Sequence, residues 1–424
     1  MSAPALEIRP LERPPSATIA VPGSKSITNR AVLLAALADG RSELTGALFS
    51  DDTRYMVGAL RGLGVQVDVD ESAARIIVDG CGGRWPAAEA DLFVGNAGTA
   101  MRFLVAALCL GAGRYRIDGT ARMRERPIGE LVEGLRQLGA TVEASGGAPP
   151  VTVRGGLAGG EAALSAAKSS QFLSALLQVA PCARRDVTIA LVGDVIAQPY
   201  IDMTIDVMAL WGVAVIRDGY RTFRVRAGQR YRAQRYAVEP DASSAHYFWA
   251  AAALTGGRVS VSGLSLGSSQ RDVEFVQILA DMGAGFGEDA DGITVIGDVQ
   301  LTGIDRDMNR ISDTAPTLAA IAPFCSGPVR IRNVAHLRWQ ESDRLHAVAT
   351  ELARLGARVR ELDDGLEIEP STLHGGTVQT YDDHRIAMAF ALIGLKVPGV
   401  KIENPGCVAK TFPDFFARLE SLRR

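Results

Sequence analysis

Glycine closes five amphipathic segments of this chain, at positions 64, 139, 212, 283 and 356, at intervals of 75, 73, 71 and 73 residues. Before each glycine the apolar residues return every three or four positions. After it come two short alternating stretches separated by a polar turn, so the pattern predicts a helix, a strand, a turn and a second strand. The first copy reads Ala59-Leu60-Arg61-Gly62-Leu63-Gly64-Val65-Gln66-Val67, then Arg75-Ile76-Ile77-Val78. The second runs from Gly134 to Gly139, then Ala140-Thr141-Val142 and Val151-Thr152-Val153, and the third places Met208-Ala209-Leu210-Trp211-Gly212 before Val213-Ala214-Val215 and Phe223-Arg224-Val225. The fourth and fifth centre on Met282-Gly283 and Leu355-Gly356. Solenoid repeats span about 20–50 residues, so a unit of this length is a small αβ layer of its own. A helix-like stretch from Phe415 to Leu422 has no strands after it, and strand-like Ala5 to Ile8 and Ala17 to Ala20 have no helix before them. The two ends are therefore expected to complete a sixth unit together.

Each unit holds a second helix, opened by a polar cluster: Ser24-Lys25-Ser26, Asn96-Ala97-Gly98-Thr99, Lys168-Ser169-Ser170-Gln171, Asp241-Ala242-Ser243-Ser244, Ser312-Asp313-Thr314 and Asp382-Asp383-His384. Six units group as two halves of three, with crossings expected near Val21-Pro22-Gly23 and Glu239-Pro240-Asp241. That gives one domain from residues 1–21 and 240–424 and another from 22–239. Two strands of chain would join them, a connection that permits hinge closure over a ligand.

With 424 residues, 47% of them hydrophobic and 22% charged, the chain has the composition of an ordinary globular protein. A net charge of −3 without a block of like charges argues against non-specific nucleic-acid binding. The five cysteines, Cys81, Cys109, Cys182, Cys325 and Cys407, are widely spaced and form no CxxC pair, so neither a disulfide framework nor a zinc site is expected. Neither a signal sequence nor a membrane-spanning run is read from the sequence, and a cytoplasmic location is expected.

The plain reading of the polar clusters is helix capping, and for Asp241 and Ser243 it is the expected one. It leaves the cations unexplained. Lys25 follows Gly23 and sits among hydroxyls just ahead of an apolar helix, where free N–H groups and the helix dipole favour an anion. Its order, Gly-Ser-Lys-Ser, is not the ending of a nucleotide P-loop. Arg102, Arg126, Arg344, Arg385 and Lys410 also lie near helix starts, a pattern that favours binding of phosphate or carboxylate groups.

These segments together resemble the 5-enolpyruvylshikimate-3-phosphate synthases of the enolpyruvyl transferase superfamily. The similarity runs through Gly23-Ser24-Lys25-Ser26-Ile27-Thr28-Asn29-Arg30, Gly95-Asn96-Ala97-Gly98-Thr99-Ala100-Met101-Arg102, Glu125-Arg126-Pro127-Ile128-Gly129, Ser169-Ser170-Gln171-Phe172, Gln198-Pro199-Tyr200, Glu341-Ser342-Asp343-Arg344, Asp383-His384-Arg385 and Lys410-Thr411-Phe412-Pro413. The resemblance implies an α/β fold, a two-domain inside-out α/β barrel with three βαβαββ repeat units per domain. It implies transfer of the enolpyruvyl group of phosphoenolpyruvate to the 5-hydroxyl of shikimate 3-phosphate, with release of phosphate and with no metal or cofactor. Lys25, Gly98, Arg126, Gln171, Arg344, Arg385 and Lys410 would bind phosphoenolpyruvate. Lys25, Ser26, Arg30, Ser169, Ser170, Gln171, Tyr200, Asp313, His336 and Gln340 would bind shikimate 3-phosphate. Lys25, Asp313 and Glu341 are the implied catalytic groups, with Glu341 serving the methylene carbon and Asp313 the hydroxyl. The expected partners are these small molecules, with no nucleic acid and no membrane, and the expected state is a monomer.

Four positions depart from the family pattern. Gln340 stands where Lys is usual, His336 replaces Asn, Ala197 replaces Ser and Phe103 replaces Pro. A protonated His336 is expected to restore part of the charge missing at 340. The sister UDP-N-acetylglucosamine enolpyruvyl transferases carry a reactive Cys in the loop occupied here by Thr120-Ala121-Arg122-Met123-Arg124, which has none. Cys109, in an apolar run, is expected in the core. A non-catalytic phosphometabolite-binding protein and an RNA-end-processing enzyme on a related repeat fold are the remaining alternatives; the acidic balance speaks against the latter.

Overall fold

The computed structural model describes residues 4–297 and 299–423. The chain divides into two compact units, Gly23–Val238 and Met1–Pro22 with Glu239–Arg424. Helices come in pairs along the sequence. The first unit holds α1 (Lys25–Leu37) and α2 (Asp51–Gly62), α3 (Gly98–Leu108) and α4 (Gly129–Gln137), α5 (Gln171–Val179) and α6 (Gln198–Leu210). The second holds α7 (Ala242–Thr255) and α8 (Phe275–Asp281), α9 (Ala315–Ile321) and α10 (Arg344–Arg354), α11 (His384–Gly394) and α12 (Phe415–Glu420).

The two members of each pair differ in what they bury. Every residue of α3, α9 and α11 is buried, and α1, α5 and α7 are buried along nearly their whole length. Their partners bury one face only: α4 covers Leu131, Val132, Gly134 and Leu135. An all-round apolar helix must sit inside a core, whereas a striped one lies over a sheet. Each unit accordingly has its own hydrophobic core around its buried helices.

The sheets repeat one plan. Strand Glu89–Phe93 runs parallel to Arg114–Asp118, which pairs antiparallel with Val151–Val153, and Val142–Ala144 takes the far edge. Gly160–Ser165, Val187–Val192, Thr222–Val225 and Val215–Asp218 repeat that order. A parallel pair needs a long crossover, and the buried helix supplies it each time. The turns are specified by the recurrent glycines. At Gly64, Gly139, Gly212, Gly283 and Gly356 the backbone takes φ of 85°, 89°, 89°, 112° and 96°, a region that costs a residue with a side chain roughly 1–2 kcal/mol. The residue after each glycine donates its N–H back over the helix end, as from Val65 to the Leu60 carbonyl and from Val213 to the Met208 carbonyl, both 3.0 Å.

One expectation about the termini is corrected. Only Leu6–Ile8 joins the closing sheet, antiparallel to Val400–Ile402 beside Gly376–Val378. Ser16–Ile19 instead runs parallel to Arg258–Ser262 and so opens the unit built on α7. Its counterpart, Arg235–Ala237, pairs with Asp39–Thr45 in the first unit. Each strand next to a crossing completes a sheet in its own unit, which is why an N-terminal strand was left over in the sequence pattern. Among the described residues no helix is long and apolar enough to cross a membrane.

Candidate active site

In the unit Gly23–Val238, Ser24 caps α1 by accepting from the Ile27 N–H at 3.4 Å, which places Lys25 and Ser26 in the first turn. The Lys25 ammonium lies 3.8 Å from Asp52, a carboxylate buried near the start of α2. Arg126 follows a 3₁₀ turn, Met123–Glu125, and its Nη1 donates to both oxygens of Asn96, the backbone carbonyl at 3.0 Å and the side chain at 3.1 Å. Gly98 is what allows this placement. A Cβ on Gly98 would stand 2.5 Å from Arg126 Nη2, so any side chain there displaces the guanidinium. Gln171 opens α5 and donates to Thr99 Oγ1 at 3.4 Å. Ser169 Oγ accepts from the Gln171 N–H at 3.2 Å, and Ser170 takes the N-cap position. Tyr200 lies in the first turn of α6, where its carbonyl accepts from Arg30 at 3.1 Å.

Two arginines of this unit serve the fold more than the sequence suggests. Arg102 donates to the carbonyls of Gly98 at 3.2 Å and Pro127 at 3.0 Å and so clamps the segment that carries Arg126. Arg30 is buried and donates to Thr204 Oγ1 at 2.8 Å and to the carbonyls of Ser26 and Tyr200. Burial lowers its hold on its proton to about 10.

In the other unit the centre is Arg344, only 2% exposed. Its fork meets Asp313 at 3.2 Å, Glu341 at 2.7 Å and Asp383 at 2.8 Å. Burial alone would favour loss of its proton, but the three carboxylates, Asp383 foremost, outweigh it and raise the pKa. The second oxygen of Asp313 accepts from Arg385 at 2.6 Å. Asp313 is therefore not a helix cap, and Thr314 holds the N-cap position of α9. The Asp313 side chain keeps 22% of its surface exposed, enough for a ligand to reach. Asp383 caps α11 by accepting from the Arg385 N–H at 2.9 Å, and it also accepts from Ser342 at 2.9 Å. Lys410 is buried at the end of a 3₁₀ segment, Pro405–Lys410, that begins beside Asn404, whose amide donates to Asp382 at 3.1 Å. Gln340 is half-buried at the end of the 3₁₀ turn Ala335–Trp339.

The expectation for His336 is overturned. Its ring is buried, makes a 2.9 Å hydrogen bond with Ser312 Oγ, and has its pKa lowered by burial to about 4, so it is neutral at ordinary pH and supplies no cation. Asp241 caps α7 as expected, but the Ser243 hydroxyl donates instead to Asp272. Sequence reasoning missed Asp272, Asp383 and Asp52. Burial first, and then the charge of Asp313, pushes Asp272 up to about 7. Ala197, at a left-handed φ of 48°, has no hydroxyl to offer. Cys109 is core, and burial raises its thiol pKa.

Comparison with known proteins decides the family. The model for EPSP synthase (3-phosphoshikimate 1-carboxyvinyltransferase) matches residues 12–419. The chain belongs to the EPSP synthase family. It is 51% identical over 416 residues to a 3-phosphoshikimate 1-carboxyvinyltransferase of Nostoc sp., covering 97% of this chain and 98% of that one. It is 47% identical to the chloroplastic enzyme of Solanum lycopersicum, covering 96% of this chain and 82% of that one. Among solved structures, EPSP synthase from Acinetobacter baumannii superposes with a TM-score of 0.81 at 26% identity, over 99% of this chain and 98% of that one. The enolpyruvyl transferase NikO from Streptomyces tendae shares the fold, with a TM-score of 0.76 at 19% identity over 100% and 98% of the two chains.

In this EPSP synthase family member a buried carboxylate fixes the loop before Arg126. Asp118 accepts from Arg124 at 2.9 and 2.7 Å and from Arg116 at 2.6 Å. The Arg124 guanidinium, helped by the Gly119 N–H and Arg116, holds the carboxyl down to about 2 against the effect of burial. Since the folded value lies below the unfolded one, this stabilisation is complete above about pH 4 and is lost as pH falls toward 2. Asp118→Asn is expected to cost roughly 1–2 kcal/mol at neutral pH, with the gap to the parent constant from pH 7 to about 5 and narrowing below 4. Urea unfolding over that range checks it, and a gap that widens on acidification would place the Asp118 carboxyl outside these pairs.

Proposed function

We propose that the chain transfers the enolpyruvyl group of phosphoenolpyruvate to the 5-hydroxyl of shikimate 3-phosphate through the residues described above. Family membership supports the reaction, and one observation carries the assignment of roles: Asp313 and Glu341 are held by the same buried guanidinium of Arg344. Two carboxylates fixed on one rigid fork suit a reaction with two proton transfers at neighbouring atoms.

Glu341 delivers a proton to the methylene carbon of phosphoenolpyruvate, and the electron-poor C2 is attacked by the 5-hydroxyl oxygen while Asp313 takes the hydroxyl proton, with Lys25 assisting. The resulting tetrahedral adduct loses phosphate, and Glu341 recovers the proton from carbon as the double bond re-forms. The donor's phosphate and carboxylate are assigned to Lys25, Gly98, Arg126, Gln171, Arg344, Arg385 and Lys410. Shikimate 3-phosphate is taken by Lys25, Ser26, Arg30, Ser169, Ser170, Gln171 and Tyr200 and by Asp313, His336 and Gln340, with His336 acting as a neutral hydrogen-bonding group. Glyphosate, the inhibitor associated with this family, would occupy the donor positions at Lys25, Gly98, Arg126 and Arg385. The protein works as a cytoplasmic monomer without nucleic acid.

The direct test is phosphate release from phosphoenolpyruvate with shikimate 3-phosphate and, separately, UDP-N-acetylglucosamine as acceptor. Turnover is expected with the first alone, and turnover with the second would move the chain to the sister activity. Glu341→Gln and Asp313→Asn are each expected to lower kcat by roughly 10²–10⁴ while leaving substrate binding measurable. A kcat near that of the parent removes the residue from the mechanism.

Gln340→Lys adds a charge-assisted donor where the chain has a neutral amide, and such bonds are about twice as strong as neutral ones. The acceptor KM should fall by roughly three- to tenfold and the donor KM stay level. Because His336 is neutral well below physiological pH, the gain should be the same from pH 6 to 8. A gain that grows steadily across that interval would show His336 titrating there.

A further inference from the structure

Position 103, where the family pattern has proline, carries a phenylalanine that is wholly buried on α3. Its ring is not ordinary core packing. The guanidinium carbon of Arg30, on α1, stands 5.1 Å from the centre of that ring, within the range of a cation–π contact. Each of the three guanidinium nitrogens has a neutral acceptor: Thr204 Oγ1 takes Nε at 2.8 Å, and the carbonyls of Ser26 and Tyr200 take Nη1 and Nη2 at 2.9 and 3.1 Å. Thr204 is itself fixed, with its hydroxyl 2.7 Å from the Tyr200 carbonyl. An aromatic face and three acceptors, one on each nitrogen, together define the plane of the guanidinium, and these contacts use three of its five N–H bonds.

No carboxylate pairs with Arg30 in an ion pair among the described residues, so its positive charge is met by neutral acceptors and by the ring. In so dry a place a ring quadrupole is worth far more than at a surface. An aliphatic or proline side chain at 103 would leave the face of the guanidinium against hydrocarbon.

We propose that Phe103 is a positioning residue for the acceptor, holding Arg30 flat so that its two remaining N–H groups meet an anionic oxygen of shikimate 3-phosphate. This rests on the functional reading above, in which Arg30 belongs to the acceptor set. It makes position 103 a determinant of acceptor affinity as well as a neighbour of the Gly98 end of α3.

Graded fluorination tests it, because fluorine weakens the ring quadrupole with little change in shape. The full-length chain is made with phenylalanine, then mono-, tri- and pentafluorophenylalanine, at position 103. Acceptor KM, donor KM, calorimetric binding of shikimate 3-phosphate and melting temperature are measured for each. The acceptor KM and dissociation constant are expected to rise together along the series, reaching roughly three- to tenfold at the pentafluoro ring, with donor KM and melting temperature level. Acceptor constants that stay flat, or that rise no more than the donor KM, overturn the proposal. Failure of the parent chain to release phosphate from the two substrates would instead overturn the functional reading and take the acceptor role of Arg30 with it.

Discussion

The polar end of the unit Met1–Pro22 with Glu239–Arg424 depends on one buried cation. Arg344 sits where Asp313, from the turn before α9, Glu341, just ahead of α10, and Asp383, the cap of α11, converge on its fork. Removing one partner of a buried ion pair costs about 3–5 kcal/mol, since the other charge stays behind without water. Here the loss would be shared by three carboxylates from three elements. The guanidinium thus fixes the relative placement of three helix starts and, in doing so, aims the two carboxylates on which the proposed chemistry rests. Stability and the proposed chemistry draw on the same contact.

That arrangement follows from how the repeat is built. The helices at the centre of each unit are apolar on every side, so they have no flank on which a charged group could meet water. Many of their polar residues lie at the N-terminal ends, where free N–H groups suit anions. Cations at those ends oppose the dipole and need partners. Some find them in the backbone, as Arg102 does at the Gly98 and Pro127 carbonyls, and some in carboxylates, as Arg344 and Arg385 do. A sequence count of arginines near helix starts therefore mixes ligands with struts, and only the partners separate them.

The repeat was legible because its signal is backbone geometry. A positive φ after a helix demands glycine, so five glycines at near-constant intervals mark five helix ends without any knowledge of packing. The motifs that carry the family resemblance were legible for a similar reason, as contiguous runs such as Gly23 to Arg30. Relations across the chain were not. Asp383 looks like any helix cap in sequence, and it is one, yet it is also an oxygen partner of Arg344. Asp272 lies 41 residues before Asp313 and gives no sign of sharing its electrostatic environment. His336 was read for charge from its side-chain type alone, while its burial decides otherwise. The Arg30 and Phe103 contact spans 73 residues and two helices, and it surfaces in the sequence only as an unexplained departure.

The departures share a direction once their surroundings are known. Gln340 and a neutral His336 both leave the acceptor set with dipoles where charge would bind a phosphate dianion harder, and Ala197 has no hydroxyl to add. On the unit Gly23–Val238 the proposed acceptor set includes the start of α5. There Ser169 Oγ accepts the Gln171 N–H, which fixes the hydroxyl oxygen and leaves its hydrogen available to donate. A hydroxyl oriented in that way, beside Ser170 at the helix N-terminus and with Arg30 held flat on Phe103, supplies directed donors without further cations. Directed neutral donors give less raw attraction than lysines but lose little order when a ligand arrives, so the proposed acceptor set trades part of its charge for preorganisation.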